Sequence, residues 1–336
     1  MNQPDGFAVQ VLPDAQVADA AGLASWRALL AQAPAACLFH EPGFLAYHPE
    51  GRFPFRNLMI TKGGQPIALL PGGLANQTVF RSPLGASFGG PVLAARLPTT
   101  DMTGAIEALQ AHARTENWSA LEFVPPPMIY RRDQADALGF CLQAAGFTLE
   151  ARMLCHAIPL ANTGPRFEAL FRSRARRNTS KLRAANDPRH ETRSGGSELL
   201  DPFLVAFNET YSRHGVEPTH SAAELADLMR RLPDRFRIAL HSFEGRPVAG
   251  LFLMKMSDTV ENAFYICATS EDAQLNASLA LFAWTIDWLA ESGVRTLDLG
   301  PSSMPDGSLN RGVCFFKESL GAVGYCRDRW IWKTAQ

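Results

Sequence analysis

The 336 residues exceed what one hydrophobic core commonly organises and suit two domains of about 150 residues each. With 46% hydrophobic and 19% charged residues, the composition excludes fibrous, collagen-like and disordered classes. A formal net charge of −1 excludes a non-specific polyanion binder, so any phosphate contact has to come from a local patch.

In chain order, residues 7–12 (FAVQVL) read as a strand and residues 23–33 carry helical apolar spacing. Two apolar runs flank Lys62-Gly63-Gly64-Gln65, a hairpin signal. A helix over 102–117 and the strand SALEFVP follow, then a short helix over 138–146 ending on Gly146. FTLEARMLCHAIPLA reads as one long strand. The turn-rich Asn162-Thr163-Gly164-Pro165 divides the chain into domains 1–161 and 162–336.

The second half repeats the scheme at greater length. A basic helix over 165–185 precedes the strand HETRS and helices over 198–214 and 222–232. Three successive strands follow, with turns at Glu244-Gly245 and Ser257-Asp258. An apolar helix over 276–292 closes on Gly293, then come the strand VRTLDLG, a helix ending on Gly321 and the strand CRDRWIWK. A meander, helix, strand and second helix predict an α/β (mixed α+β) fold, and the first half is a cruder version of it.

The N-terminal residues have neither a basic n-region nor an apolar h-region, and no apolar run reaches about 18 residues. A cytoplasmic protein with no membrane span is expected. The six cysteines lack CxxC or metal spacing and read as buried free thiols, so no metal is expected.

GRPVAG (245–250), AFYICATSED, ASLALFAWTIDWLAESG, DLG (298–300) and FKESLG (316–321), in that order, resemble the FemABX and CelD-like branch of the GNAT acyltransferase superfamily. The basic segment FRSRARRNTSKLRAA resembles that branch's "R..RR...R.A" pattern, and the first half resembles the branch more loosely, through the hairpin over 56–74 and ASFGGPV (86–92). The resemblance implies two tandem GNAT-like domains, each a mixed sheet flanked by helices. It also implies transfer of an acyl or aminoacyl group to an amine acceptor, with acyl-CoA, an acyl carrier or aminoacyl-tRNA as co-substrate. The first domain would be degenerate and the second catalytic. Ordinary acetyltransferases hold the CoA pyrophosphate on a glycine-rich loop between strand and helix. Here that stretch is Glu271-Asp272-Ala273-Gln274-Leu275-Asn276-Ala277-Ser278, without glycine and with two carboxylates.

Six of the twelve residues 172–183 are basic and none is acidic. On a helix, Arg172, Arg176 and Arg183 share one stripe, and Arg174, Arg177 and Lys181 another. They are either a solvated face or a contact for the phosphates of CoA or of a tRNA acceptor end. Lys317 matches the lysine of the family's "fK..fG" motif, implicated in the Fem enzymes in oxyanion stabilisation; otherwise it complements a helix C-terminus.

Asp298 ends a strand where it could orient or deprotonate an ammonium, or else cap a helix or pair with an Arg. Tyr265 could protonate a leaving group or simply pack. Asn276 and Ser278 open the long helix, as N-caps or as donor contacts. Cys314, His214, His220 and the pair Arg131 and Arg132 read as structural or surface residues. Two alternatives stay open beside a thioester-dependent N-acyltransferase. One is a Fem-type aminoacyl-tRNA-dependent transferase, and the other a catalytically idle GNAT scaffold in envelope or exopolysaccharide assembly.

Overall fold

A computed structural model describes residues 6–14, 23–130, 135–160 and 187–334. The chain forms two compact units, Met1–Leu154 with Tyr325–Gln336, and Cys155–Gly324.

The first unit runs β1 (Phe7–Val11), α1 (Ala24–Gln32), α2 (Pro42–Leu45), β2 (Leu58–Lys62), β3 (Gln65–Leu70), β4 (Gly73–Leu74), β5 (Val79–Ser82), β6 (Val92–Leu93), α3 (Thr99–Thr115), β7 (Ala120–Phe123) and α4 (Ala135–Ala144), then enters β8 (Thr148–Pro159). The hairpin of β2 and β3 turns where its sequence places it. Gly63 and Gly64 take φ of +55° and +79°, the left-handed pair that a tight two-residue turn requires. Strands β1, β2, β3 and β6 make one antiparallel sheet. Phe80 stacks on Trp118 with ring centroids 5.0 Å apart, in a core shared with Met102, Ile106 and Leu109 of α3 and Leu138 of α4.

The second unit takes over within β8 and continues β9 (His190–Gly195), α5 (Leu200–His214), α6 (Ala222–Arg231), β10 (Phe236–Phe243), β11 (Arg246–Lys255), β12 (Val260–Ala268), α7 (Asp272–Leu275), α8 (Ala277–Glu291), β13 (Thr296–Pro301) and α9 (Arg311–Ser319). Strands β9 to β12 form the antiparallel meander, β13 joins β12 in parallel after the α8 crossover, and β8 pairs antiparallel with β13. Leu281, Phe282, Ile286 and Leu289 of α8 pack on Leu251, Leu253 and Leu297 of the sheet. On the aromatic side, Phe203 of α5 comes close to Gly250, where an added Cβ would lie 2.6 Å from its ring. The last strand, β14 (Val323–Lys333), begins in the second unit and pairs with β7 in the first.

The units divide earlier than the Asn162–Pro165 turn, and the final residues return to the first unit because Trp330 to Lys333 pair with β7. The long helix expected over 276–292 is α8, and the left-handed Asn276, at φ +54°, separates it from the additional single turn α7.

Candidate active site

The parallel ladder of β12 and β13 pairs Val260 with Thr296, Glu261 with Leu297 and Asn262 with Asp298, then stops, although β12 continues to Ala268 and β13 to Pro301. On its other edge β13 pairs Asp298 with Ala157 and resumes at Pro301 with Cys155, so Leu299 and Gly300 lie opposite His156 in a bulge. Main-chain groups released by this parting need other partners. Asp298 Oδ1 accepts from Gly300 N at 2.8 Å, and Lys317 Nζ donates to Gly300 O at 3.0 Å and Pro301 O at 2.6 Å. Asp298 and Lys317 are thus brought together where the strands part, and both are buried.

An ammonium carries three N–H donors, of which these two carbonyls occupy two. Burial pulls the Lys317 pKa down to about 8, against the opposing pull of Asp298. Between that value and the ordinary 10.5 the unfolded chain binds the proton more tightly, so stability rises with pH across this window. Relative to Lys317→Met, urea unfolding of the parent should gain on the order of 3 kcal/mol between pH 8 and 10.5. A flat difference between the two proteins over that range would contradict a buried, charged Lys317.

Beside this pair stand residues that the sequence does not single out. His156 Nδ1 lies 2.8 Å from Ser302 Oγ, and its Nε2 lies 3.7 Å from Glu318 Oε1. Cys314 Sγ donates to Ser302 O at 3.4 Å, which gives the thiol a structural place. A lone histidine in an apolar strand, CHAIPL, is the single signal of His156 in the sequence.

Tyr265 stands on the stretch of β12 beyond the parting, with its ring edge-on to Phe207 and Phe264. Its hydroxyl accepts from His220 N at 3.1 Å and lies 2.9 Å from His220 Nδ1. Burial holds its pKa above that of an ordinary phenol. This arrangement explains why His220 is buried, a packing role rather than a metal one.

Neither Asn276 nor Ser278 caps α8 with its side chain. The left-handed Asn276 instead swings the chain so that Asp272 Oδ1 accepts from Ser278 N at 2.6 Å. Glu209 Oε1 accepts from Ser270 N at 2.6 Å, and Glu271 pairs with Arg246 at 2.7 Å. Carboxylates of the chain itself therefore hold main-chain donors on both sides of α7. Arg172, Arg176, Arg177 and Lys181 lie outside the described residues, as do Arg131 and Arg132. Among the described residues no group of three His, Cys, Asp or Glu could hold a metal, and no helix is long and apolar enough to cross a membrane. All six cysteines are free thiols.

Residues 169–308 match the family model described as an acetyltransferase (GNAT) domain. That segment is similar to a GNAT domain. It spans the meander, the α8 crossover and β13, the elements that bring Asp298 to the parting. The fold is similar to the crystal structure of FemX, at a TM-score of 0.64 and 13% identity over 84% of this chain and 88% of that one. It is similar to the C-terminal domain of a lysylphosphatidylglycerol synthetase from Agrobacterium fabrum, at 0.59 and 13% over 92% and 90%. A tandem GNAT protein from the clavulanic acid biosynthesis pathway aligns at 0.52 and 13% over 98% of both chains. At such identities these likenesses concern the fold, which is a tandem GNAT arrangement with a mixed sheet flanked by helices in each unit. No curated protein matches by sequence.

Proposed function

We propose that the second unit is an N-acyltransferase in which an acceptor amine attacks an activated acyl group directly, and that the first unit serves a substrate-binding or structural role. The observation that carries this reading is the parting of β12 and β13 with Lys317 and Asp298 at its end. Attack on a thioester or ester passes through a tetrahedral oxyanion, and the third Lys317 N–H is a fixed donor for it in a water-poor site. Asp298, held on Gly300 N, supplies negative charge for an incoming ammonium.

The donor segment favours an acyl group not anchored by a pyrophosphate. A helix N-terminus ordinarily attracts phosphate, but that of α8 already bears the Asp272 carboxylate. This supports a second reading, an aminoacyl ester such as aminoacyl-tRNA as donor, with the basic residues 172–183 as candidates for its phosphates. In the test, acetyl-CoA, S-acetyl-N-acetylcysteamine and alanyl-tRNA are offered with lysine, ethanolamine and glucosamine, and N-acylated product is read by mass. N-acylated product should form from one of these donors, and the truncated thioester should serve as well as acetyl-CoA. A large preference for acetyl-CoA would contradict the donor reading.

The same contact yields a binding prediction. CoA should bind the parent weakly, and Asp272→Ala should raise its affinity about tenfold, or roughly 1.4 kcal/mol, by freeing Ser278 N and removing a charge. The variant should lose about 1 kcal/mol of stability with its cap. Calorimetry showing submicromolar CoA affinity for the parent, or no gain in the variant, would overturn this account of α8.

A further inference from the structure

Acyl transfer to an ammonium releases a proton, and neither central residue is placed to export it. Asp298 is buried and engaged by Gly300 N, and the Lys317 ammonium is a donor already. Three other side chains meet at His156 near the end of β13. Ser302 is 1% exposed and lies immediately after the two residues held by Lys317. Its Oγ is 2.8 Å from His156 Nδ1, and His156 is 2% exposed. The other ring nitrogen faces Glu318 Oε1 at 3.7 Å, and the Glu318 side chain is 55% exposed. The line therefore begins inside the unit beside the bulge and ends in solvent. Next to it in sequence, Ser303 Oγ is buried with no hydrogen-bond partner among the described residues.

We propose that Ser302, His156 and Glu318 form a relay that carries to solvent the proton given up by the acceptor amine. This rests on the acyltransferase reading above. The acceptor ammonium loses a proton to Ser302 Oγ as the hydroxyl proton passes to His156 Nδ1. The Nε2 proton passes to Glu318 and thence to water. The freed amine forms the C–N bond, and the C–S or C–O bond to the donor breaks. The second nitrogen proton goes to the leaving thiolate or alkoxide, so one proton leaves per acyl group transferred. In the resting state the relay requires a neutral ring with Nε2 protonated and Nδ1 accepting from Ser302. The charged groups facing the ring are Lys317 and Glu318 of α9. Burial first and Lys317 next lower the His156 pKa, with Glu318 opposing, which fits a neutral ring. His156 and Glu318 act through Ser302 and are positioning and proton-carrying residues rather than groups that touch the acyl carbon.

The resting state is read without substrate. Imidazole 15N spectra of the full-length protein at pH 7, with His156→Gln supplying the assignment, should show protonated Nε2 and unprotonated Nδ1. Ser302→Ala should move the Nδ1 resonance and Glu318→Gln the Nε2 resonance. An Nδ1-protonated or doubly protonated ring, or resonances indifferent to both variants, would overturn the relay. In the transfer assay with S-acetyl-N-acetylcysteamine or alanyl-tRNA, His156→Gln should lower kcat about 10²-fold at pH 7 with KM unchanged. The deficit should shrink at pH 9, where hydroxide can take the proton. A deficit independent of pH would make His156 structural alone. No transfer by the parent with any donor would sink the acyltransferase reading, whereas the nitrogen spectra judge the resting relay separately.

Discussion

Lys317→Met should lower single-turnover acyl transfer about 10²–10³-fold while leaving donor affinity nearly intact. Gly300 O and Pro301 O hold two of the three ammonium N–H groups, and in the proposed role the third acts only on charge that develops in the transition state. Loss of one such donor corresponds to roughly 3–4 kcal/mol of barrier. The substitution also reaches stability, because Met leaves two carbonyls at the bulge without their donor. Each unsatisfied group costs about 1–3 kcal/mol, partly offset by removing a buried cation, so the melting temperature should fall as well. The split between kcat and KM distinguishes the roles. A lowered melting temperature with an unchanged rate would make Lys317 a clamp on β13 and nothing more. Because the cation is what serves, activity in the parent should also decline as pH rises through about 8.

The second large effect lies one residue from the parting. Glu261 is 1% exposed and is paired with Arg237, whose guanidinium lies over the Trp288 ring at 4.6 Å. Among the described residues, Glu261 Oε2 and Arg237 Nε are buried without hydrogen-bond partners, so the pair is incompletely satisfied there even when intact. Arg237→Ala should destabilise the protein by about 3–5 kcal/mol, since it leaves a buried carboxylate uncompensated and uncovers Trp288. For a unit of this size that is roughly 10 °C in melting temperature. The double variant Arg237→Met with Glu261→Leu should recover most of the loss, because removing both charges abolishes the desolvation cost. A double variant as unstable as Arg237→Ala would show that packing, and not the orphaned charge, dominates.

Where local chemistry decides structure, the sequence is explicit. The Gly63-Gly64 and Glu244-Gly245 turns have the left-handed residues that their tight hairpins need, and Ser221 with Glu224 makes the capping box that opens α6. Lys317 is legible through its match to the "fK..fG" motif of the resembling family, and the structure sets it with Cys314 on the buried face of a short helix, while Phe315 between them is exposed. What sequence reasoning misses depends on partners far along the chain. His156 meets Ser302 across 146 positions, and Tyr265 meets His220 across 45. Neither pairing leaves a periodic trace. The pairing of β14 with β7 is equally silent, since a strand's composition does not name its partner. At α8 the left-handed Asn276 makes no side-chain cap, and the carboxylate of Asp272, four positions earlier, takes the Ser278 N–H instead.

The central claim is that the second unit moves an acyl group to an amine, and native mass spectrometry of freshly purified protein tests it most directly. An acyl thioester or aminoacyl ester should co-purify with the protein. On addition of lysine, ethanolamine and glucosamine, the parent should consume it and produce one N-acylated amine, while Lys317→Met retains it over the same interval. A bound species that survives the amine challenge unchanged in the parent would identify a binding scaffold and contradict the enzyme.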